Sequence, residues 1–98
     1  MATIKWASQA RADLEKLSDY YRSMAPAYAE VFEEKLLLAT RQLEVFALSG
    51  RVIPEIGDEQ LREVLYRGYR IMYHADIAGE EVEILAILHS SQQFGGIG

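Results

Sequence analysis

Three arginines and a histidine in the second half of the chain are the side chains with the clearest chemical potential. Arg62, Arg67 and Arg70 lie close together in a segment rich in Val, Ile, Tyr and Leu, and Arg51 precedes them. A guanidinium can hold a phosphate or a carboxylate through two parallel hydrogen bonds. His89, at the end of the last apolar segment, is of a type that moves protons near neutral pH. These residue types suit anion recognition and, at His89, proton transfer.

The same side chains can instead serve the structure. Four arginines and four acidic residues lie between Arg51 and Arg70, so pairing with Glu55, Glu59 or Glu63 would neutralise the arginines locally. Glu63 falls inside a predicted strand, where a carboxylate is disfavoured unless it faces solvent or a partner. We therefore expect Glu63 either to pair with Arg70 across a tight turn or to act as a base.

Metal and cofactor chemistry is not predicted. His74 and His89 are the two histidines, and neither has a carboxylate at ligand spacing. The alternative to proton transfer by His89 is a structural role, in which its side chain forms a hydrogen bond with a nearby backbone group at the end of the strand. The chain has no cysteine, which excludes a disulfide framework, a zinc ribbon and thiol chemistry. A glycine-rich phosphate loop and a Ser/His/Asp constellation are also missing, so no cofactor is expected.

Length and charge narrow the class of protein further. Ninety-eight residues, 11.1 kDa, fit one domain over residues 1–98, with residues 95–98 expected to fray. Fifteen acidic and ten basic side chains give a net charge of −5, which disfavours strong nonspecific binding to nucleic acid. The sequence shows neither a signal peptide nor a bilayer-spanning stretch, so we expect a cytoplasmic protein without a membrane partner.

The first half of the chain predicts a strand and two helices. Residues 3–6 alternate β-branched and aromatic types with polar ones, which is typical of a strand, and Ser8 is expected to cap the helix that follows. Pro26 interrupts that helix and starts a second one, which should end at Gly50. Apolar residues recur at helical spacing in both segments. They are Leu14, Leu17, Tyr21 and Met24 in the first helix, and Tyr28, Phe32, Leu36, Ala39, Leu43 and Phe46 in the second.

The second half predicts a loop followed by three strands. Residues 51–60 carry Pro54, Gly57 and acidic side chains, typical of a surface loop. Residues 61–67, 69–75 and 81–89 have strand length and composition, and their short connections favour an antiparallel meander. The predicted fold is therefore α+β: an N-terminal strand, an antiparallel helical hairpin and a three-stranded antiparallel meander with the hairpin on one sheet face.

Alternation along the middle strand of this meander separates its side chains into two sets. Tyr69, Ile71 and Tyr73 should share one face, and Arg70 should lie on the other. We expect the tyrosine face to meet the helices and Arg70 to be presented on the exposed side, near the end of the last strand.

The ordered set of segments resembles the ParE/RelE superfamily of bacterial type II toxins over nearly the whole chain. The similar pieces are the helix opening at 12–17 with Tyr20-Tyr21, the 49–55 loop with its Gly-Arg-x-x-Pro-Glu pattern, Arg62-Glu63, the strand at 69–73 and the segment 84–89. The set resembles the ParE branch more than the RelE branch.

The resemblance implies a small toxin that is neutralised by an antitoxin encoded beside it, whose tail wraps the toxin. ParE-like members act on DNA gyrase without a catalytic triad, whereas RelE-like members cut messenger RNA on the ribosome. In the second case Arg70 would stabilise the phosphorane and His89 would transfer protons, with Glu63 or Tyr73 in support. The other arginines, Arg51, Arg62 and Arg67, are then candidates for contacts with a partner.

Charge distinguishes the two branches. The chain is acidic, and residues 84–98 contain no Asp, Glu, Lys or Arg. A ribosome-bound nuclease approaches densely charged RNA, so this depletion disfavours the RelE mechanism. The leading hypothesis is a noncatalytic ParE-like toxin that binds gyrase. The alternatives are a RelE-like endoribonuclease and a degenerate member that retains only antitoxin binding.

Overall fold

The computed structural model describes residues 1–76 and 78–91. The chain begins with strand β1 and continues through two helices and a 3₁₀ turn into four further strands. In order these are β1 (Thr3–Trp6), α1 (Ser8–Met24), α2 (Pro26–Arg41), the 3₁₀ turn Gln42–Glu44, β2 (Arg51–Val52), β3 (Leu61–Tyr66), β4 (Tyr69–Ala75) and β5 (Glu81–His89). The predicted α+β architecture is confirmed, and the predicted frayed end at 95–98 lies outside the described residues.

Within these residues the strands form a mixed sheet in the order β1-β5-β4-β3-β2. β3, β4 and β5 make the predicted antiparallel meander. β1 pairs in parallel with β5, Thr3 opposite Glu81 and Trp6 opposite Ile84. β2 was not predicted: it is a two-residue strand inside the expected loop and pairs antiparallel with β3.

A two-residue turn joins β3 to β4. Arg67 and Gly68 both have positive φ, 46° and 84°. Two consecutive positive φ values belong to the type I′ hairpin turn, whose twist matches that of the flanking strands. The turn explains why β3 ends at Tyr66, one residue earlier than the sequence predicts.

The two helices bury their apolar faces on one side of the sheet. Pro26 occupies the first helical position of α2. An N–H at this position would have no acceptor within the helix, so proline costs no hydrogen bond there. Phe32, Leu36 and Leu43 are buried, as predicted, and they share the core with residues from the sheet. The sheet residues of this core are Tyr69, Ile71, Tyr73, Ala75, Val82, Ile84 and Ile87.

Three sequence expectations about the helix ends are wrong. α1 begins at Ser8 itself, with Ala7 in the capping position and no side-chain cap. α2 ends at Arg41 rather than Gly50, because the chain tightens into the 3₁₀ turn and then leaves helical geometry. Phe46 therefore does not belong to the buried apolar face of α2, and it is exposed instead of buried.

Gly50 serves a different purpose from the expected left-handed cap, since its φ is not among the positive values. A Cβ atom at this position would lie 2.6 Å from the carbonyl oxygen of Glu63 and 2.7 Å from the hydroxyl of Tyr73. The chain needs glycine here because the backbone passes directly against β3 and β4.

An aspartate on α1 accepts a backbone hydrogen bond from the part of β5 that does not pair with β1. The pairing of β4 with β5 shifts after Met72, where Tyr73 lies opposite Ile84 and Met72 opposite Ala86. β1 ends at Trp6, so Ile87 lies beyond its reach. The backbone N–H of Ile87 donates to Oδ2 of Asp13 at 2.9 Å. A side chain thus supplies the acceptor that a neighbouring strand would otherwise provide.

Candidate functional site

Four charged side chains of alternating sign form a continuous chain of ion pairs across β2, β3 and β4. Nε of Arg51 donates to Oε2 of Glu63 at 2.5 Å, and Nε of Arg70 donates to Oε1 of the same carboxylate at 2.7 Å. Both terminal nitrogens of Arg70 donate to the two oxygens of Glu55, also at 2.7 Å. We call Arg51, Glu63, Arg70 and Glu55 the ion-pair chain.

The centre of the ion-pair chain is buried and its ends are not. The side chains of Glu63 and Arg70 are 0% and 6% exposed, whereas Arg51 and Glu55 reach the surface. Hydrogen bonds with Glu55 raise the pKa of the Arg70 guanidinium, with burial acting in the opposite direction. A buried carboxylate between two guanidinium groups is compensated on both oxygens, which is the condition under which such burial is tolerated. The ion-pair chain therefore links β2 and the loop that follows it to β3 and β4.

The expectation that Arg70 is presented on an exposed face is wrong. Alternation places it on the side away from the core residues Tyr69 and Ile71, as predicted, but the residue is only 5% exposed. The loop after β2 places Glu55 over the guanidinium. The Glu55 carboxylate accepts hydrogen bonds from both terminal nitrogens of Arg70. The structural alternative, pairing with Glu55 and Glu63, is the arrangement that the structure shows.

Tyr73 lies on the opposite face of the sheet from Arg70. It belongs to the core, is fully buried, and its hydroxyl accepts a hydrogen bond from the backbone N–H of Gly50 at 3.0 Å. Burial raises the pKa of the Tyr73 hydroxyl. Its position in the core separates Tyr73 from the ion-pair chain.

His89 also lies on the helix-facing side. It is the register partner of Tyr69, and the two rings meet edge to face with centroids 5.5 Å apart. Its Nδ1 forms a hydrogen bond with the hydroxyl of Ser91 at 2.7 Å, and the residue is exposed. Arg70, by contrast, pairs with Leu88 on the other face. Of the four residues named for nuclease chemistry, the structure brings together only Glu63 and Arg70.

The comparisons with known proteins identify the family. Residues 4–94 match the model of the ParE toxin of the type II toxin-antitoxin system, parDE. The chain belongs to the ParE toxin family. No curated protein sequence is similar enough to this chain to count as a match.

Solved structures of toxin–antitoxin systems resemble this ParE-family chain over most of their length. One is from the chromosomal ParDE system of P. aeruginosa, with 25% sequence identity, a TM-score of 0.73, and coverage of 91% of this chain and 96% of the other. Another is from the RelBE2 toxin-antitoxin complex of Mycobacterium tuberculosis, with 21% identity, a TM-score of 0.56, and coverage of 90% and 96%. The second likeness concerns the fold alone.

The three arginines considered for partner contacts have different surroundings in this ParE-family fold. Arg62 donates to the carbonyl oxygens of Glu59, Leu48 and Gly50, so it fastens two loops. Arg67 is exposed at the β3–β4 turn, with its guanidinium carbon 5.9 Å from the centroid of the Tyr66 ring. Arg51 reaches the surface from the ion-pair chain.

Two contacts are not predictable from the sequence. Glu55 is one of three expected partners for the arginines, but nothing in the sequence distinguishes its two-pronged contact with Arg70 from pairing at Glu59. Tyr21 has the spacing of a core residue, and its hydroxyl also forms a hydrogen bond with that of Tyr69 at 2.9 Å. Burial and this hydrogen bond raise the pKa of Tyr69.

Among residues 1–76 and 78–91 there is no group of three or more His, Asp or Glu side chains that could hold a metal ion. Over the same residues, none of the helices combines the length and the apolar character needed to cross a membrane.

Proposed function

We propose that this ParE-family toxin inhibits DNA gyrase by binding to it, without a catalytic step of its own, and that a cognate antitoxin neutralises it. The observation that supports a noncatalytic role is the separation of Arg70 from His89. Arg70 is held by Glu55 and Glu63 on one face of the sheet, and His89 contacts Tyr69 on the other.

Cleavage of RNA in the RelE manner requires several groups around one phosphate. A base must reach the ribose hydroxyl, an acid must reach the leaving oxygen, and a cation must contact the phosphorane, each within hydrogen-bond distance. Here Glu63 is buried between two arginines and Tyr73 is buried in the core. Binding to a partner needs no such convergence, so it fits this arrangement better.

Family membership supports an antitoxin partner. The matched family model is that of the toxin of a type II toxin-antitoxin system, and the similar structure from P. aeruginosa comes from a ParDE system. We infer that the antitoxin of this chain is encoded beside it and binds it in the cytoplasm, where the toxin would also meet gyrase.

The direct test is a supercoiling assay with purified gyrase and relaxed plasmid. We expect the wild-type protein to inhibit supercoiling, and we expect His89→Ala to inhibit equally, because His89 is exposed and has no catalytic role in this proposal. Normal supercoiling with the protein in molar excess over gyrase would refute the gyrase target.

The competing nuclease is tested in parallel in a translating extract. Intact messenger RNA in the presence of the wild-type protein is the expected result. Cleavage that His89→Ala abolishes would instead establish the RelE-like mechanism. Inactivity in both assays, combined with tight binding to an antitoxin, would identify a degenerate member.

The antitoxin proposal has its own readout. Induced expression of the toxin alone should arrest growth, and co-expression of the small reading frame next to its gene should restore growth. Copurification of the two chains then measures the complex directly. Growth arrest that persists despite a co-expressed neighbour would contradict neutralisation by that neighbour.

A further inference from the structure

An apolar groove lies between the segment after the 3₁₀ turn and the turn that joins β4 to β5. It encloses about 400 Å³ and is lined by Val45, Phe46, Ala47, Leu48, Ala78 and Gly79. Val45, Phe46 and Leu48 are 59%, 64% and 42% exposed. Three large apolar side chains within four residues form a patch of the kind that marks an interaction site. We call this feature the Phe46 groove.

Hydrogen bonds hold both walls of the Phe46 groove. The backbone N–H groups of Val45 and Phe46 donate to the carbonyl of Gln42, at 3.1 and 3.0 Å. In the opposite wall, Oδ1 of Asp76 accepts from the N–H groups of Glu80 and Glu81, at 2.7 and 3.3 Å. The groove is therefore formed before any partner arrives, which lowers the entropy lost on binding.

The two walls approach each other closely at the floor of the groove. Ala47 is nearly buried there, and a Cβ atom at Gly79 would lie only 3.7 Å from its methyl group. Small residues on the floor leave room for an incoming side chain between Phe46 and the turn.

Two glutamates are direct chain neighbours of residues that line the Phe46 groove: Glu44 precedes Val45, and Glu80 follows Gly79. Glu44 and Glu80 border the start of the chain, since their carbonyls accept the N–H groups of Ala2 and Thr3. Neither has an ion-pair partner in the described part of the chain. Asp76 and Glu81 lie in or beside the same turn.

Cations from the neighbouring elements are fewer. They are Lys5, which pairs with Glu81 at 3.5 Å, Arg62, which bonds the carbonyl of Leu48 at 3.2 Å, and the terminal amino group of Met1. The rim is thus acidic around an uncharged centre, an arrangement in which the centre gives binding energy and the rim gives charge selectivity.

We propose that the Phe46 groove binds a segment of another protein in which an apolar anchor side chain is flanked by lysine or arginine. The anchor would fill the groove against Phe46, and the flanking cations would meet Glu44 and Glu80. This proposal rests on the geometry and charge of the groove and is independent of whether gyrase is the target.

A second copy of the chain is a poorer occupant. A two-fold interface brings the same patch of both subunits together. The acidic rims of the two copies would then lie close together, and like charges held together in an interface oppose association. Charge complementarity therefore favours a basic partner.

The experiment uses the ¹⁵N-labelled full chain and two synthetic peptides. The first peptide has a pair of leucines flanked on each side by two lysines, and the second replaces the lysines with glutamates. We expect the lysine peptide to shift the amide signals of residues 44–48 and 78–80, with binding that weakens as salt rises. The glutamate peptide should leave these signals unchanged.

Matched variants separate a specific groove from general attraction to an acidic protein. Phe46→Ala should weaken lysine-peptide binding about tenfold, as expected for a central anchor contact, whereas Val31→Ala, an exposed apolar residue on α2, should not. Glu44→Gln with Glu80→Gln should weaken binding and flatten its salt dependence. The control pair is Glu30→Gln with Glu34→Gln, both exposed on α2.

Several outcomes would overturn the proposal. Signal shifts spread evenly over acidic surfaces, equal binding of both peptides, or undiminished binding by Phe46→Ala would each exclude a specific basic-segment site. A concentration-dependent dimer in sedimentation experiments that Phe46→Ala abolishes would assign the groove to self-association instead.

Discussion

Arg70 and His89 lie on adjacent strands of one sheet but on its opposite faces. Arg70 is opposite Leu88 in the register of β4 with β5, and His89 is opposite Tyr69, which belongs to the core. The two residues that the family resemblance assigns to one reaction therefore lie in two separate environments.

Glu63 is predicted to be the most sensitive member of the ion-pair chain. Glu63→Ala leaves the buried Arg70 without one of its carboxylates, and removing one partner of a buried pair costs about 3–5 kcal/mol. Urea denaturation should show this loss in the free energy of unfolding. Glu55→Ala removes a contact nearer the surface and should cost less.

A double variant tests whether the loss in Glu63→Ala comes from the uncompensated charge. Replacing the pair together, Glu63→Leu with Arg70→Met, removes both buried charges and should recover much of the stability. A double variant that is as unstable as Glu63→Ala would mean that packing at this position, and not charge, determines the effect.

Asp13 is predicted to stabilise the fold through one backbone group. Asp13→Ala leaves the N–H of Ile87 without its acceptor, and an unsatisfied buried donor costs about 1–3 kcal/mol. Asp13→Asn retains a carbonyl oxygen and should lose less. Asp19→Ala is the control, because Asp19 lies on the same helix in an exposed pair with Arg22 and should change stability by less than about 0.5 kcal/mol. Equal denaturation midpoints for Asp13→Ala and wild type would contradict the role of Asp13.

Local patterns in the sequence were sufficient for most of the fold. The period-two pattern of residues 69–75 predicted both the extent of β4 and the face on which Tyr69, Ile71 and Tyr73 pack. Helical spacing predicted the burial of Phe32 and Leu36. These features depend on neighbours a few residues apart, which is the range over which periodicity is informative.

Contacts between distant segments were not predictable in the same way. The parallel pairing of β1 with β5 joins residues nearly eighty positions apart, and no turn residue signals it. The cover of Arg70 by Glu55 depends on the path of the loop after β2. Phe46 has the helical spacing of the residues before it, although the helix itself ends at Arg41, before the 3₁₀ turn at residues 42–44. The spacing therefore predicts burial for a residue that is no longer helical.

Alkaline pH is predicted to destabilise the protein through two buried tyrosines. Burial raises the pKa of Tyr69 and of Tyr73, so the folded chain holds these protons more tightly than the unfolded chain does. An unfolded tyrosine ionises near pH 10. The stability linked to these groups is therefore fully present below about pH 10 and is lost as the pH rises through the folded values.

The measurement is the free energy of unfolding from urea denaturation at about pH 8 and about pH 11. We expect the loss between the two pH values to be smaller in Tyr73→Phe than in wild type. Tyrosinate absorbance of the native protein gives a second readout, because Tyr69 and Tyr73 should ionise only above about pH 10, the ordinary value for tyrosine. An unchanged pH dependence in Tyr73→Phe would show that this hydroxyl does not contribute.

Phe32 and Phe46 provide a matched comparison of buried and exposed phenylalanine. Phe32 is 1% exposed and contacts the rings of Tyr21, Tyr66 and Tyr69, so Phe32→Ala should cost about 3–5 kcal/mol. A domain of this size has about 5–10 kcal/mol of stability, so Phe32→Ala should be close to unfolding at 37 °C. Phe46→Ala should change the free energy of unfolding by less than about 0.5 kcal/mol while still weakening peptide binding. Comparable destabilisation by both variants would mean that Phe46 is covered in solution, which would contradict an open groove at that position.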